Sequence, residues 1–342
     1  MKAIVITTIF PPSEAVKRFA AMEEWALVVV GDRKTPADWN HPGVKYVDPD
    51  NQLNAGWQIA EKLPWNHYAR KMVGYLEAMA LGADIIADTD DDNIPGADWA
   101  FPAFAGAFDR TAEDLGFINV YRSFTDQHIW PRGFPLKRIN EKDALVSDEK
   151  FTREQCEVGI WQALADGDPD VDAIYRLTCN VPCIFNKRPP IVLGRGTLCP
   201  FNSQNSAFTR AAFPLLYLPA TVTFRFTDIL RSLVAQPILW MEEKLLGFTA
   251  ANVTQERNEH DYLKDFESEL PCYLHGDRVA EIVGNSVKRG ATMGDNLLIA
   301  YDNLQRANIV DHDELSILRA WLDDIVAIPH SQGAAVSSPP SI

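Results

Sequence analysis

The sequence predicts an α/β protein with a Rossmann-type mixed, mainly parallel sheet flanked by helices, and with a C-terminal helical extension. Three observations carry that expectation. Apolar runs such as "AIVITTIF" and "WALVVVGD" are continuous rather than alternating, as strands buried on both faces require. Segments with helical apolar spacing lie between and after them. Beyond residue 270 only helical spacing remains.

Each element follows from its residues. "AIVITTIF" (Ala3 to Phe10) reads as the first strand, and "PPSEAVKRFAAM" opens a helix with Ser13 as its N-cap. "WALVVVGD" (Trp25 to Asp32) and "VKYVD" (Val44 to Asp48) read as further strands. In "NHYARKMVGYLEAMALGA", Tyr68, Met72, Tyr75, Leu76 and Met79 share one helical face, and Gly82 ends the helix. "DIIADTDDD" is then a strand running into an acidic turn. The stretch from about Thr125 to Arg195 is rich in Pro, Trp and charge, and "HIWPRGFPLKR" and "NKRPPIVLGRG" read as loops around a site. "NSQNSAFTRAAFPLLYLPA" resumes strand and turn signals, and "TDILRSLVAQPILWMEEKLLG" reads as a helix interrupted near Pro237. The expected organisation is a catalytic unit over residues 1–270, a packed helical region over 271–328, and a small, polar, disordered tail over 329–342.

Composition narrows the function. At 46% hydrophobic and 23% charged residues the chain can bury a sizeable core. A net charge of −15 argues against nucleic acid or an anionic membrane as the main partner. Cys156, Cys179, Cys183, Cys199 and Cys272 form no CxxC pair and are expected to be reduced, mostly buried thiols. The apolar run before Pro11 is too short for a signal peptide, and no apolar stretch of about 18 residues occurs, so a cytoplasmic protein without a membrane span is expected.

The acidic turn "DTDDDN" gathers Asp88, Asp90, Asp91 and Asp92, which repel one another unless water or a cation offsets the charge. A solvated turn is one reading. A calcium-binding EF-hand is another, and it fails: Asn93 stands where Gly is needed, Trp99 stands where Glu should close the cage, and a strand precedes the loop. The third is the DxD element of nucleotide-sugar glycosyltransferases with the GT-A fold, in which carboxylates at a strand end hold Mn²⁺ or Mg²⁺ against the donor diphosphate. In open α/β sheets ligands bind at the carboxyl ends of strands, where this turn falls.

Beyond the turn, "TTIFPPSEAVKRF", "VVVGDRKTPADW", "ARKMVGYLEAMALGA", "TDDDN", "INVYRSF", "IWPRGFPL", "FNSQNSAF", "LPATVTFRFTDILRSLVAQPILW" and "DELSILRAWLDDIVA" resemble, in order, the STELLO glycosyltransferase family. That family is distantly similar to the reversibly glycosylated polypeptides, which act as UDP-arabinopyranose mutases. Plant members are Golgi membrane proteins with an N-terminal anchor, and neither that location nor a cellulose-related role is carried over.

The resemblance implies a GT-A-like domain that binds a nucleotide-sugar donor, UDP-linked as in the similar families, with a divalent metal, and transfers the sugar to a glycan or small acceptor. Asp92 is the expected main metal ligand and Asp90 a ribose or metal contact, with Asp91 turned away as a structural residue. His260 or Asp261 is the candidate third ligand. Thr7 and Thr8, placed in the middle of the first strand, with Pro11 beyond it, are candidates to seat the base, and Gly31 with Asp32 to close around uracil or ribose. Arg70 and Lys71 read either as a basic pair at the diphosphate or as helix-surface charges. Arg132, in a loop stiffened by Pro and Gly, is a candidate to fix charge during catalysis, and Arg138 a candidate for self-glycosylation. In "FNSQNSAF", strand alternation separates Asn202, Gln204 and Ser206 from Ser203 and Asn205, and Asn205 is a candidate for donor binding. Asp228 reads as the base that deprotonates the acceptor, as a helix cap, or as both. A nucleotide-sugar mutase and a non-catalytic sugar-nucleotide binder are the rival functions.

Overall fold

The structure, a computed structural model, describes residues 1–147, 150–256 and 261–328. The strands are β1 (Lys2–Thr8), β2 (Trp25–Gly31), β3 (Val44–Val47), β4 (Ile85–Thr89), β5 (Asn93–Pro95), β6 (Ala105–Arg110), β7 (Gly116–Phe117), β8 (Thr152–Gly167), β9 (Ile191–Val192), β10 (Thr197–Leu198), β11 (Asn205–Thr209) and β12 (Leu245–Gln255). The α-helices are α1 (Glu14–Ala20), α2 (Pro49–Asn54), α3 (Gln58–Lys62), α4 (Lys71–Ala80), α5 (Ala173–Thr178), α6 (Thr227–Met241), α7 (Tyr262–Ser286), α8 (Met293–Arg306) and α9 (Glu314–Ala327). Ser13 caps α1 as its sequence predicts, its hydroxyl accepting from the Val16 N–H.

One ten-stranded sheet organises the molecule in the order β3-β2-β1-β4-β11-β8-β6-β9-β12-β5, with β8 also paired to β12. Its first four strands are mutually parallel, so the ends of β1, β2 and β4 open on the same edge. Beyond β4 the sheet is mixed: β11 runs antiparallel to β4 and β8, and β12 runs parallel to β8.

Both faces of the parallel part are covered, which explains its unalternated apolar strands. In β1, Ala3 and Val5 pack into the larger core, whereas Ile4 and Ile6 join Val16, Phe19 and Val29 on the other face. α4 lies close on β1 and β2 because Gly74 has no Cβ; one would stand 2.5 Å from Val30 Cγ2 and 2.6 Å from Val5 Cγ1. The larger core continues without interruption into α7, α8 and α9.

Three expectations need correction. α6 runs unbroken through Pro237, because almost every residue of the helix is buried and packing outweighs the one lost hydrogen bond. The middle segment is not only loops: it holds β8, sixteen residues long, and α5. Thr7 and Thr8 close β1 rather than occupying its middle. All five cysteines are free, and all but Cys179 are buried. Among the described residues no helix is long and apolar enough to cross a membrane. The tail from 329 onwards lies outside the described residues.

Candidate active site

At the carboxyl ends of β1, β2 and β4 the surface opens into a cleft of about 380 Å³. Thr7, Thr8, Gly31 and Asp32 line its floor from the first two strands, and Asp90, Asp91 and Asp92 enter from the turn after β4. Arg132, Asp170 and Asp228 form part of the wall opposite in sequence, together with Gln204 and Gln255. The parallel half of the fold thus supplies one side and the mixed half the other.

The strand leading into the acidic turn carries its own counter-charges. Asp88, fully buried, pairs with Lys71 Nζ at 2.6 Å and with Arg231 Nη1 at 2.9 Å. Lys71, equally buried, donates to the Thr89 carbonyl at 2.6 Å and to Asp90 Oδ1 at 3.1 Å. Such buried charges persist only when paired and hydrogen-bonded. Lys71 is therefore neither a surface charge nor a cleft residue; it braces the turn from beneath. Arg70 touches the cleft, but its guanidinium is spent on Gln52 and on the Ala60 and Leu63 carbonyls, with the Trp65 ring stacked on it.

Within the turn, Asp90 accepts from the Tyr68 hydroxyl at 2.5 Å as well as from Lys71. Burial raises its pKa against the pull of Lys71 and Tyr68. Asp91 is not turned away: it lines the cleft, takes a hydrogen bond from the Thr8 hydroxyl, and is pushed by burial up to about 6. Asp92 accepts from Gln255 Nε2 at 3.1 Å, and Gln255 in turn accepts from Gln204. Asp32 lines the cleft with Oδ1 held by the Arg33 N–H at 2.6 Å.

Across from the turn, Arg132 is clamped between two carboxylates. Nε and Nη2 donate to Asp170 at 2.9 and 2.7 Å, while Nη1 and Nη2 donate to Asp228 at 2.9 and 2.8 Å. Burial works against the charge on Arg132, but Asp170 and then Asp228 outweigh it and hold its pKa well above the usual value. Asp228 also accepts from the Ser203 N–H at 3.1 Å. It lies in the first turn of α6 without capping it, since no side chain makes the cap hydrogen bond there.

Several expected residues stand elsewhere. Pro11 is exposed and outside the cleft. Asn205 points away from it, donating to Asn252 Oδ1 at 2.6 Å and accepting from Trp99 Nε1. The strand alternation assumed for "FNSQNSAF" begins only at Asn205, so Gln204 reaches the cleft while Asn202 and Ser203 are bound to their neighbours. Arg138 pairs with Glu141 and Asp143 and lines no part of the cleft. Asp261 caps α7 through the Leu263 and Lys264 N–H groups, and His260 lies outside the described residues.

Sequence reasoning missed Tyr68, His67, Asp170, Gln255, Phe224 and Arg225, all on the cleft. Burial lowers the pKa of His67, and the Phe224 ring sits edge-on to those of His67 and Tyr68. Their only sequence signal is an unusual density of polar and aromatic residues just before a helix, in "WNHYAR" and "TFRFTD".

The family model of the STELLO glycosyltransferases matches residues 225–337. Two curated Arabidopsis thaliana proteins, "Probable glycosyltransferase STELLO1" and "Probable glycosyltransferase STELLO2", are each 26% identical to this chain over 98% of its length. The chain resembles the STELLO glycosyltransferases. It spans 46% of the length of each of these relatives. The STELLO model begins on the cleft wall, at Arg225, takes in Asp228 and runs through α6 to α9. Among solved structures, two of glucosyl-3-phosphoglycerate synthase from Mycobacterium tuberculosis show remote likeness. One is 9% identical over 81% of this chain and 80% of that chain, with a TM-score of 0.41. The other is 11% identical over 91% and 82%, with a TM-score of 0.37.

Proposed function

We propose that the chain is a metal-dependent glycosyltransferase that moves a sugar from a nucleotide donor, UDP-linked in the first instance, to a glycan or small acceptor. The observation that carries this reading is the meeting of Asp90, Asp91 and Asp92 with Asp228 in one cleft at the ends of parallel strands. The similarity to STELLO glycosyltransferases supports the reaction class.

The carboxylates fit a hard divalent cation by their chemistry. Among the described residues no three His, Cys, Asp or Glu side chains converge to cage an ion by themselves. Mg²⁺ is commonly held by protein through one or two carboxylates, with substrate phosphate and water completing the shell, and Mn²⁺ shares its preference for oxygen ligands. Asp92 and its neighbours in the turn would hold the ion, which, when bound, supplies positive charge against the departing diphosphate. The chain's own work is positional. Lys71 and Tyr68 fix Asp90, Thr8 fixes Asp91 and Gln255 fixes Asp92. Asp228, oriented by Arg132 and the Ser203 N–H, takes the proton from the acceptor hydroxyl.

The test is a thermal-shift and calorimetric screen of UDP-, GDP-, CDP- and dTDP-sugars with and without Mn²⁺. Stabilisation by one base class that EDTA abolishes, and that Asp92→Asn loses, is expected. Asp228→Asn should keep donor binding and lose at least about 100-fold in transfer, the usual reach of general-base catalysis. Binding indifferent to both metal and Asp92 would overturn the reading.

A further inference from the structure

Among the described residues four cationic side chains line the cleft: Lys34, Arg70, Arg132 and Arg225. Arg70 is consumed by Gln52 and by two carbonyls, and Arg132 by Asp170, Asp228 and the Arg225 carbonyl. Lys34 is exposed and, among the described residues, held by nothing. Arg225 differs from all three. Its Nε and Nη2 donate to Glu269 Oε1 at 2.9 and 2.7 Å, which leaves Nη1 as the one edge of the guanidinium without a hydrogen-bond acceptor among the described residues.

The support behind Arg225 is rigid. Glu269 is fully buried, and its other oxygen accepts from the Ala173 N–H and the Tyr273 hydroxyl, each at 2.7 Å. The backbone of Arg225 is fixed too: its N–H donates to Ser268 Oγ at 3.3 Å, and its carbonyl accepts from Arg132. A planar guanidinium held by one carboxylate, with N–H groups left over in a cleft, is organised in advance for an oxyanion. The rest of the cleft needs such a group. Its carboxylates, Asp32, Asp90, Asp91, Asp92, Asp170 and Asp228, would repel a diphosphate unless cations offset them.

We propose that Arg225 grips the diphosphate of the bound nucleotide through Nη1, with Glu269 as the positioning residue that aims it. This rests on the nucleotide-sugar reading of the cleft and adds a contact from the side remote in sequence from the acidic turn.

Calorimetry on the full chain tests it, in Mg²⁺, with whichever of UDP, GDP, CDP and dTDP the wild type binds best, and with the matching nucleoside. Arg225→Gln should weaken the diphosphate by about 10- to 100-fold, the range for hydrogen bonds to charged groups, and leave the nucleoside unchanged. Glu269→Gln keeps Arg225 but loosens it, so a smaller loss of diphosphate affinity is expected, again with none for the nucleoside. Should Arg225→Gln fail to fold by circular dichroism, Arg225→Lys carries the test. It keeps a charge for Glu269 but presents no second N–H edge, and a loss of at least about tenfold is expected. Equal diphosphate affinity in wild type and a folded Arg225 variant overturns the assignment and leaves the reading of the cleft standing. A wild type that binds none of the four diphosphates overturns both.

Discussion

Asp172 shows how a single carboxylate is set by its surroundings. It caps α5, accepting from the Tyr175 N–H at 2.8 Å and from Trp130 Nε1 at 2.7 Å. Burial nonetheless pushes its pKa from 3.8 up to about 6, because those two bonds do not replace the water it lost. A raised carboxylate pKa means the folded state holds the proton more tightly than the unfolded one. Its contribution is therefore intact below pH 3.8 and is lost as pH rises through about 6. The full loss is on the order of 3 kcal/mol. Asp172→Asn cannot titrate, so urea unfolding should show the variant gaining on the wild type by about that amount between pH 4 and pH 7. A difference independent of pH would mean that folding leaves the Asp172 pKa unshifted. At this scale the sequence was partly legible. The Ser13 cap and the acidic turn follow from local chemistry, but the direction of Asp91 depends on the Thr8 hydroxyl from another strand, and no local pattern encodes it.

Gly133 decides how the loop carrying Arg132 meets α6. Its φ of +82° lies in the left-handed region, and a Cβ there would stand 2.4 Å from Ile229 Cγ2 on the first turn of the helix. Both the backbone and the contact exclude a side chain. Gly133→Ala should cost about 1–3 kcal/mol, read as a lower urea midpoint at constant slope. Gly290 is the control: its φ is +84°, but no atom lies within 4 Å of its notional Cβ. Gly290→Ala should lose only the backbone share, about 1 kcal/mol. Equal losses at the two sites would remove the clash with Ile229 from the account. Elements were legible where one period held throughout. β1, β2 and α4 were such cases, each with a continuous pattern. β8 was not, because Thr152 to Glu157 are mostly polar and exposed while Val158 to Ala165 are all buried, so neither strand pattern spans it. Pro237 misled for the opposite reason: a strong local signal was overruled by tertiary packing along α6.

Across the whole molecule, the question is whether the C-terminal helices are an appendage or part of the cleft's foundation. α7 passes unbroken through residue 270, and the helices beyond share the core of the sheet. α9 reaches furthest. Its Asp324 accepts from the Gln58 and Ile59 N–H groups, each at 2.9 Å, and so satisfies the start of α3, which has no side-chain cap of its own. α3 in turn presents the Ala60 carbonyl to Arg70, Arg70 holds Gln52, and Gln52 Nε2 donates to the Gly31 carbonyl at 2.7 Å on the cleft floor. Glu314, buried at the other end of α9, gathers the Tyr217 hydroxyl and the Ala220 and Thr221 N–H groups. Trp321, fully buried, donates to the Pro214 carbonyl and meets the Tyr75 ring edge-on. A chain ending at residue 313 would leave these partners unsatisfied and a large apolar surface open, each buried polar group alone costing about 1–3 kcal/mol. Against a total stability of about 5–15 kcal/mol, such a sum removes the fold rather than trims it. The truncated chain should therefore lose its cooperative thermal transition and its nucleotide binding together. A truncated chain that melts cooperatively and still binds would make α9 separable and break the proposed path from α9 to Gly31. Asp324→Ala isolates the start of that path. It should lower stability by about 2 kcal/mol while the cooperative transition survives, because only the two α3 N–H groups lose their acceptor.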